Sequence, residues 1–244
     1  MTTLADMFVH ASQRARSKRA AVFSKYFGWI GPQTRILDLG SEDGRNIHKV
    51  LAGFDVTPAN VHIADIDGAA VQRGHEQFGY TPIVLGESEA LPFEDRAFDV
   101  IYCSSVIEHV TVPKSQVWSI YSGRTFRRCA WTRQHAFASE IRRAAESYFV
   151  QTPNANFPVE SHTWLPFVGY FPRPLQLATL GVTNRVWIKR TAPDWNLLRR
   201  RHMQELFPDA EIVNETVLGL VKSLMAIRVD HGGRRTSVDH SPLH

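Results

Sequence analysis

The sequence predicts a doubly wound α/β fold. It would have a seven-stranded, mostly parallel sheet, helices on both faces and an antiparallel pair of strands at the C-terminal end. Three observations carry that expectation. Short apolar runs alternate with helix-spaced segments along the first two thirds of the chain, which is the pattern of strands joined by crossover helices. The strand at Phe98–Cys103 is almost continuously apolar, as a strand buried on both faces must be. The length, 244 residues with 43% hydrophobic and 21% charged, suits one domain that buries a sizeable core.

In order along the chain, residues 4–29 space Leu4, Met7, Phe8, Val22, Phe23 and Phe27 as a helix does, with basic residues between them, and Gly31-Pro32 ends the segment. Arg35–Leu39 reads as a short buried strand, followed by a turn at Gly40–Gly44 and a helix over Asn46–Leu51. Val61–Asp65 is a second strand and Ala69–Phe78 the helix after it; Pro82–Gly86 and Phe98–Cys103 are the third and fourth strands. Residues 113–147 read as irregular helix, interrupted by Gly123. Tyr148–Thr152 is a fifth strand, stopped by Pro153. From 153 to 184 Pro, Phe and Trp are frequent and no period is clean, so the segment is expected to be an ordered insertion over the sheet. A helix at Leu197–Phe207 and two strands, Ala210–Glu215 and Ser223–Val229, follow. The domain plan is therefore a helical N-terminal cap (1–32), a main domain (33–229) with an acceptor-side insertion (about 153–200), and a tail (230–244) expected to be disordered.

Composition excludes several classes. No run of about 18 apolar residues exists, so no membrane-spanning helix is expected, and the N-terminus lacks the apolar core of a secretory signal. Two cysteines make neither a disulfide framework nor a metal-ligand pattern, and the expected compartment is the cytoplasm. The net charge of +4 hides an asymmetry: residues 36–112 hold 13 of the 24 acidic residues and four of the 28 Lys and Arg. The basic clusters elsewhere read as solvated helix faces, because no aromatic-basic recognition motif accompanies them.

In a doubly wound sheet, ligands bind at the C-terminal strand edges. The turn Asp38-Leu39-Gly40-Ser41-Glu42-Asp43-Gly44 stands after the first strand, and Asp65 closes the second, where a carboxylate is placed to accept hydrogen bonds from a ribose. A nicotinamide dinucleotide needs Gly-x-Gly-x-x-Gly for its pyrophosphate. Here Gly40 and Gly44 are separated by three residues with no third glycine in register, and Asp38 would repel a pyrophosphate but orient a cationic amino group. S-adenosylmethionine, with an ammonium and a sulfonium but no phosphate, fits better.

The segments Ile36–Gly44, Ile63–Ile66, Gly86–Phe93 and Phe98–Ile101 leading into Ser105–Val110 stand in the order found in class I S-adenosylmethionine-dependent methyltransferases. Residues 33–152 resemble the type 11 methyltransferase domain of that Rossmann-like family, and residues 148–167 resemble a subset of it. The resemblance implies that Asp38, Gly40 and Ser41 face the methionine part, with Gly44 closing the loop. It also implies that Asp65 holds the ribose hydroxyls, Ile66 lies on the adenine face, Glu87 and Ser88 meet the adenine amino group, and Ser104 lies beside the methionine end. The family's central loop glycine is Glu42 here, whose carboxylate must turn from the cofactor carboxylate or weaken binding. In similar enzymes the N-terminal helix closes over the cofactor, where Arg14 or Arg19 would meet that carboxylate.

His109, just beyond the fourth strand, is the candidate general base, since an imidazole titrates near neutral pH. Glu108 beside it is expected to be a structural or capping carboxylate. Asn154, Glu160 and His162 follow the fifth strand, where an acceptor enters, and Trp164, Phe167, Tyr170 and Phe171 are expected to form the core of a lid. Two ligands do not make a metal site, so no metal is expected. The sequence thus predicts an enzyme that methylates a small-molecule, glycan or lipid-precursor acceptor, at oxygen, as a monomer or homodimer. The alternatives are a nucleic-acid methyltransferase, which lacks its Asn-Pro-Pro-Tyr motif here, and a non-catalytic binding module of the same fold.

Overall fold

A computed structural model describes residues 4–40, 42–86, 90–187 and 189–230, with side chains from residue 13. The element order is α1 (Leu4–Tyr26), β1 (Ile36–Leu39), α2 (Arg45–Val50), β2 (Val61–Asp65), α3 (Gly68–Phe78), β3 (Thr81–Val84), β4 (Phe98–Ser104), α4 (Gly123–Ala144), β5 (Ala145–Pro153), α5 (Arg173–Val186), α6 (Arg200–Leu206), β6 (Glu211–Val217) and β7 (Leu220–Arg228). One seven-stranded sheet has the order β3-β2-β1-β4-β5-β7-β6. The first five strands are parallel, while β7 runs antiparallel between β5 and β6. The predicted architecture is the observed one.

Alternation along the strands sends side chains to opposite faces. Leu37, Leu39, Ile101, Cys103, Tyr148 and Val150 pack with Phe137 and Ile141 of α4 and Met203 of α6. Ile36, Val100, Tyr102 and Phe149 point the other way, onto Phe23 and Phe27 of α1 and Ile47 of α2. Phe23 and Phe27, one turn apart, stack at 4.5 Å and fix α1 to the sheet. The same helix is tied to the antiparallel edge by Arg19–Glu215 (3.4 Å) and by the Tyr26 hydroxyl, which donates to Glu211 (2.9 Å).

Three local expectations are corrected. The helix expected through residue 147 ends at Ala144, and β5 begins at Ala145 with no loop between them. That helix starts only at Gly123, where Ser122 caps it by accepting the Thr125 N–H. The insertion holds a helix, α5, that the sequence hid: Pro172 and Pro174 suit its first turn, but only Leu177 and Leu180 of its apolar residues are buried, while Val182 and Val186 face solvent. The expected lid core of four aromatics is also smaller. Phe171 packs with Val168, Leu180 and Trp195, whereas Phe167 and Tyr170 are exposed.

The tail from 231 onward, like Ser41, Glu87 and Ser88, lies outside the described residues. Among the described residues no helix is long and apolar enough to cross a membrane.

Candidate active site

A cleft of about 750 Å³ opens at the C-terminal ends of β1, β4 and β5, roofed by α1 and by the segment after β5. It falls in the size range of pockets that hold small ligands. At its floor, Asp38 is fully buried at the end of β1 and borders the cleft together with Gly40, Glu42 and Asn46. Gly40 is a glycine for two reasons: its φ of 76° belongs to the left-handed region, and a Cβ there would come within 2.6 Å of Val106. The loop can therefore lie against the chain leaving β4. Glu42, where the resemblance expects glycine, adopts φ 59° on the cleft wall, a conformation that costs an L-residue about 1–2 kcal/mol.

Asp65 accepts the N–H of Glu42 through Oδ2 (2.9 Å) and of Asp67 through Oδ1 (3.0 Å). It thus clamps the loop after β1 to the end of β2, and it does not border the cleft. Ile66 beside it is exposed, and Gly44, at φ 73°, packs against Ile63 and Tyr80 away from the cleft. Ser104 does border the cleft. Its hydroxyl and that of Ser105 both donate to Gln151 Oε1 (2.7 and 3.0 Å). Gln151, buried in β5 and on the cleft wall, keeps its Nε2 without a hydrogen-bond partner. The sequence analysis passed over it, although a lone amide after Tyr148–Val150 was a signal.

The opposite wall carries two histidines. His109 ends the 3-10 turn Ile107–His109 after β4, and its Nδ1 lies 3.1 Å from Asp194 Oδ1. Burial alone would raise the Asp194 carboxyl, but His109 overcomes it and holds the group below the usual carboxylate range. Asp194 itself is fixed by backbone bonds: Thr111 donates its hydroxyl to the Asp194 carbonyl (2.7 Å), and the Asn196 N–H reaches the Glu108 carbonyl (2.7 Å). Gln134 of α4 joins the two strands of chain by donating to the carbonyls of Ile107 and Asn196. Asp194 was not anticipated; it comes from a segment 85 residues away that carries no motif.

His162 stands across from His109, with ring centroids 4.6 Å apart and edge to face. Its other face stacks on Trp195. Its Nδ1 is 2.6 Å from Glu160 Oε1, and its Nε2 is 3.7 Å from Glu108 Oε1. Burial disfavours its charged form, yet Glu108 and Glu160 together outweigh that and push its pKa up to about 9. Glu160 is buried and also accepts the N–H groups of His162 (2.9 Å) and Thr163 (2.7 Å). Glu108 is buried too and accepts the Thr152 hydroxyl (3.0 Å), so it holds side chains and is not a helix cap. Asn154 faces inward. Its side chain donates to the Val221 carbonyl (2.9 Å) and accepts the Asn156 N–H (3.2 Å), which pins the chain leaving β5 to β7. Of the acceptor-side residues named from sequence, His109 and His162 reach the cleft, Glu160 supports His162, and Asn154 ties the loop.

Cations ring the mouth: Arg14, Arg16 and Lys18 from α1, Lys189, and Lys222 from β7. Lys189 donates to the Ser161 carbonyl (2.7 Å) and lies over the Trp164 ring. Arg19, also at the cleft, pairs with Glu215.

A floor of carboxylate and glycine, with cations confined to the rim, suits a ligand whose inner part is cationic; a pyrophosphate there would face Asp38 and Glu42 at close range. Residues 36–122 match the family model of a methyltransferase domain. No curated protein matches the chain.

Among solved structures, the chain is similar to one from the complex between the Haloferax volcanii Trm112 methyltransferase activator and a methyltransferase (13% identity, 88% of each chain covered, TM-score 0.55). It is also similar to geranyl diphosphate C-methyltransferase from Streptomyces coelicolor A3(2), crystallised with Mg2+, geranyl diphosphate and S-adenosyl-L-homocysteine (13% identity, 90% and 82% covered, TM-score 0.53). A third is the PH0226 protein of Pyrococcus horikoshii OT3 (14% identity, 85% of each covered, TM-score 0.50). The fold is that of these methyltransferase structures.

Proposed function

We propose that the chain methylates an oxygen of a small, negatively charged acceptor, a free metabolite or a glycan or lipid precursor, with His109 taking the acceptor's proton. The observation that carries this reading is the Asp194–His109 pair, which opens into the same cleft as Asp38 and Gly40. In this assignment Asp38 receives the cofactor's ammonium, the backbone at Gly40 and Ser41 borders its methionine part, and Ser104 and the free amide of Gln151 lie at the methionine end. Asp65 would reach the ribose while keeping the loop clamped, Ile66 would cover the adenine, and Glu87 and Ser88 complete that end.

Bound there, S-adenosylmethionine supplies a methyl carbon already activated by its sulfonium. The protein's share is alignment of the acceptor and exclusion of water. During transfer to a hydroxyl, His109 would take the acceptor's proton on Nε2. Asp194 holds the ring by Nδ1 and stabilises the imidazolium. The cations at the mouth select the acceptor's charge: of Arg14, Arg16, Lys18, Lys189 and Lys222, burial lowers the pKa of Lys189 and Lys222, which an anion would reverse.

The same arginines support the second reading, transfer to RNA, which predicts binding that falls steeply with salt. Both cysteines are free, in keeping with the cytoplasm. The test is methyl transfer from labelled S-adenosylmethionine to hydroxylated acceptors offered in matched neutral and phosphorylated or carboxylated pairs. The expected result is label on the anionic member, at oxygen. Label on nitrogen, or on the neutral members alone, would overturn the proposal.

A further inference from the structure

Sequence alone offered Glu160 and His162 as metal-ligand candidates in the acceptor loop, too few for a site; the fold turns Glu160 to the support of His162 and brings Glu108 and His109 to it instead. Glu108, His109 and His162 present ligand atoms that all lie within 4.8 Å of one another. We infer that this is a binding site for a first-row divalent transition cation such as Mn2+, Co2+ or Zn2+, and that the cation holds a chelating oxygen pair of the acceptor. The inference rests on the proposal that the acceptor enters on this wall of the cleft.

Four features support it. Each ligand already has the outer partner that orients a metal-bound group. His109 gives Nδ1 to Asp194 and His162 gives Nδ1 to Glu160, so both rings keep Nε2 for the shared point. Glu108 accepts Thr152 on Oε2, and its buried Oε1 has no hydrogen-bond partner among the described residues. The spacing is close to coordination: metal bonds of about 2.0–2.2 Å separate neighbouring ligands by about 3.0–3.6 Å, and His162 Nε2 is 3.7 Å from Glu108 Oε1.

The donor set of two imidazoles and one carboxylate selects transition ions over Mg2+ or Ca2+, which prefer all-oxygen shells. Charge favours it as well. Three carboxylates, Glu108, Glu160 and Asp194, surround two imidazoles in a largely buried space, and a dication that takes the place of the His162 proton offsets their charge. Both histidines border the cleft, so the open coordination positions face the acceptor. The proton-accepting role of His109 belongs to the cation-free pocket; with the cation bound, Nε2 is a ligand and the cation acidifies the acceptor hydroxyl instead.

The experiment titrates chelator-treated protein with Co2+, followed by visible absorption and calorimetry, with S-adenosylhomocysteine binding measured on each sample. The expected result is saturation at one Co2+ per chain. Glu108→Gln and Glu160→Gln should each weaken it about 10- to 100-fold while S-adenosylhomocysteine affinity is unchanged. Glu160→Gln retains the loop's packing and one backbone bond, so it reads the site even if Glu108→Gln folds poorly. Protein that binds S-adenosylhomocysteine but shows no saturable Co2+ binding, or Co2+ binding indifferent to both substitutions, would overturn the inference and leave the methyltransferase reading standing. Co2+ binding as predicted in protein that does not bind S-adenosylhomocysteine would support the site and remove the cofactor assignment instead.

Discussion

At the floor of the cleft, Asp38, Gly40 and Glu42 come from one strand end and its turn, and the end of β2 clamps that turn through backbone N–H groups, Glu42 on the Asp65 carboxylate and Gly40 on the Ala64 carbonyl. On the opposite wall, His109, His162, Glu108, Glu160, Thr152 and Asp194 come from four separate stretches of chain, and their side chains join stretches that are far apart in sequence. The floor is local backbone geometry, and the wall is tertiary packing. The first tolerates side-chain change and resists backbone change; the second does the reverse. Substitutions that respect or violate this division are the sharpest way to examine it.

The largest effect is expected on the wall. His109→Ala should lower kcat about 100-fold, near 2.7 kcal/mol, while S-adenosylhomocysteine affinity in calorimetry stays the same. Equal losses in both would show that the wall and the floor are one unit. On the floor, Asp65→Ala should weaken S-adenosylhomocysteine binding by about 1–3 kcal/mol, because the loop loses the clamp on the Glu42 N–H along with the ribose contact. An unchanged affinity would mean that Asp65 serves the loop alone and the loop holds without it.

A pH series separates the regions further. The His162 pKa stands at about 9 in the folded protein against 6.5 for a free imidazole, because Glu108 and Glu160 outweigh burial. A raised folded value means that the stabilisation is fully present below about pH 6.5 and is lost as pH climbs through about 9. In chelator-treated protein, stability in urea should therefore fall between pH 6.5 and 9 by roughly 1–3 kcal/mol, and His162→Gln should flatten that fall. A parallel decline in the variant would place the titration elsewhere.

The smallest effect belongs to Glu42. Glu42→Gly relieves a left-handed φ of 59° and removes a carboxylate from the cleft wall. It should tighten S-adenosylhomocysteine binding about fivefold and raise stability by about 0.5–1 kcal/mol once the entropy of glycine is counted. A weaker complex would show that Glu42 contributes a contact.

The contrast between floor and wall also explains what the sequence disclosed. Strands such as Phe98–Ser104 were legible because burial on both faces writes an unbroken apolar run, and Asp38, Gly40 and Asp65 because a strand end fixes where a turn residue stands. Glu42 was legible as a departure, and its positive φ gives the physical reason for expecting glycine there. Asp194 was not legible: its partnership with His109 depends on Gln134 and Thr111 pulling the stretch around Pro193 back onto the turn after β4, and no local spacing records that. Helix α5 escaped because its buried stripe is two leucines wide. Asn154 looked like an acceptor ligand because it follows β5, yet its amide is spent on β7.

The central claim is that a cationic nucleoside cofactor and a proton-accepting histidine share one cleft. It is tested most directly by calorimetry of S-adenosylhomocysteine on the full chain, repeated with Asp38→Asn and His109→Ala. The account predicts saturable binding at one site, weakened at least tenfold by Asp38→Asn and untouched by His109→Ala. Absence of binding at millimolar ligand, or binding indifferent to Asp38, would contradict it.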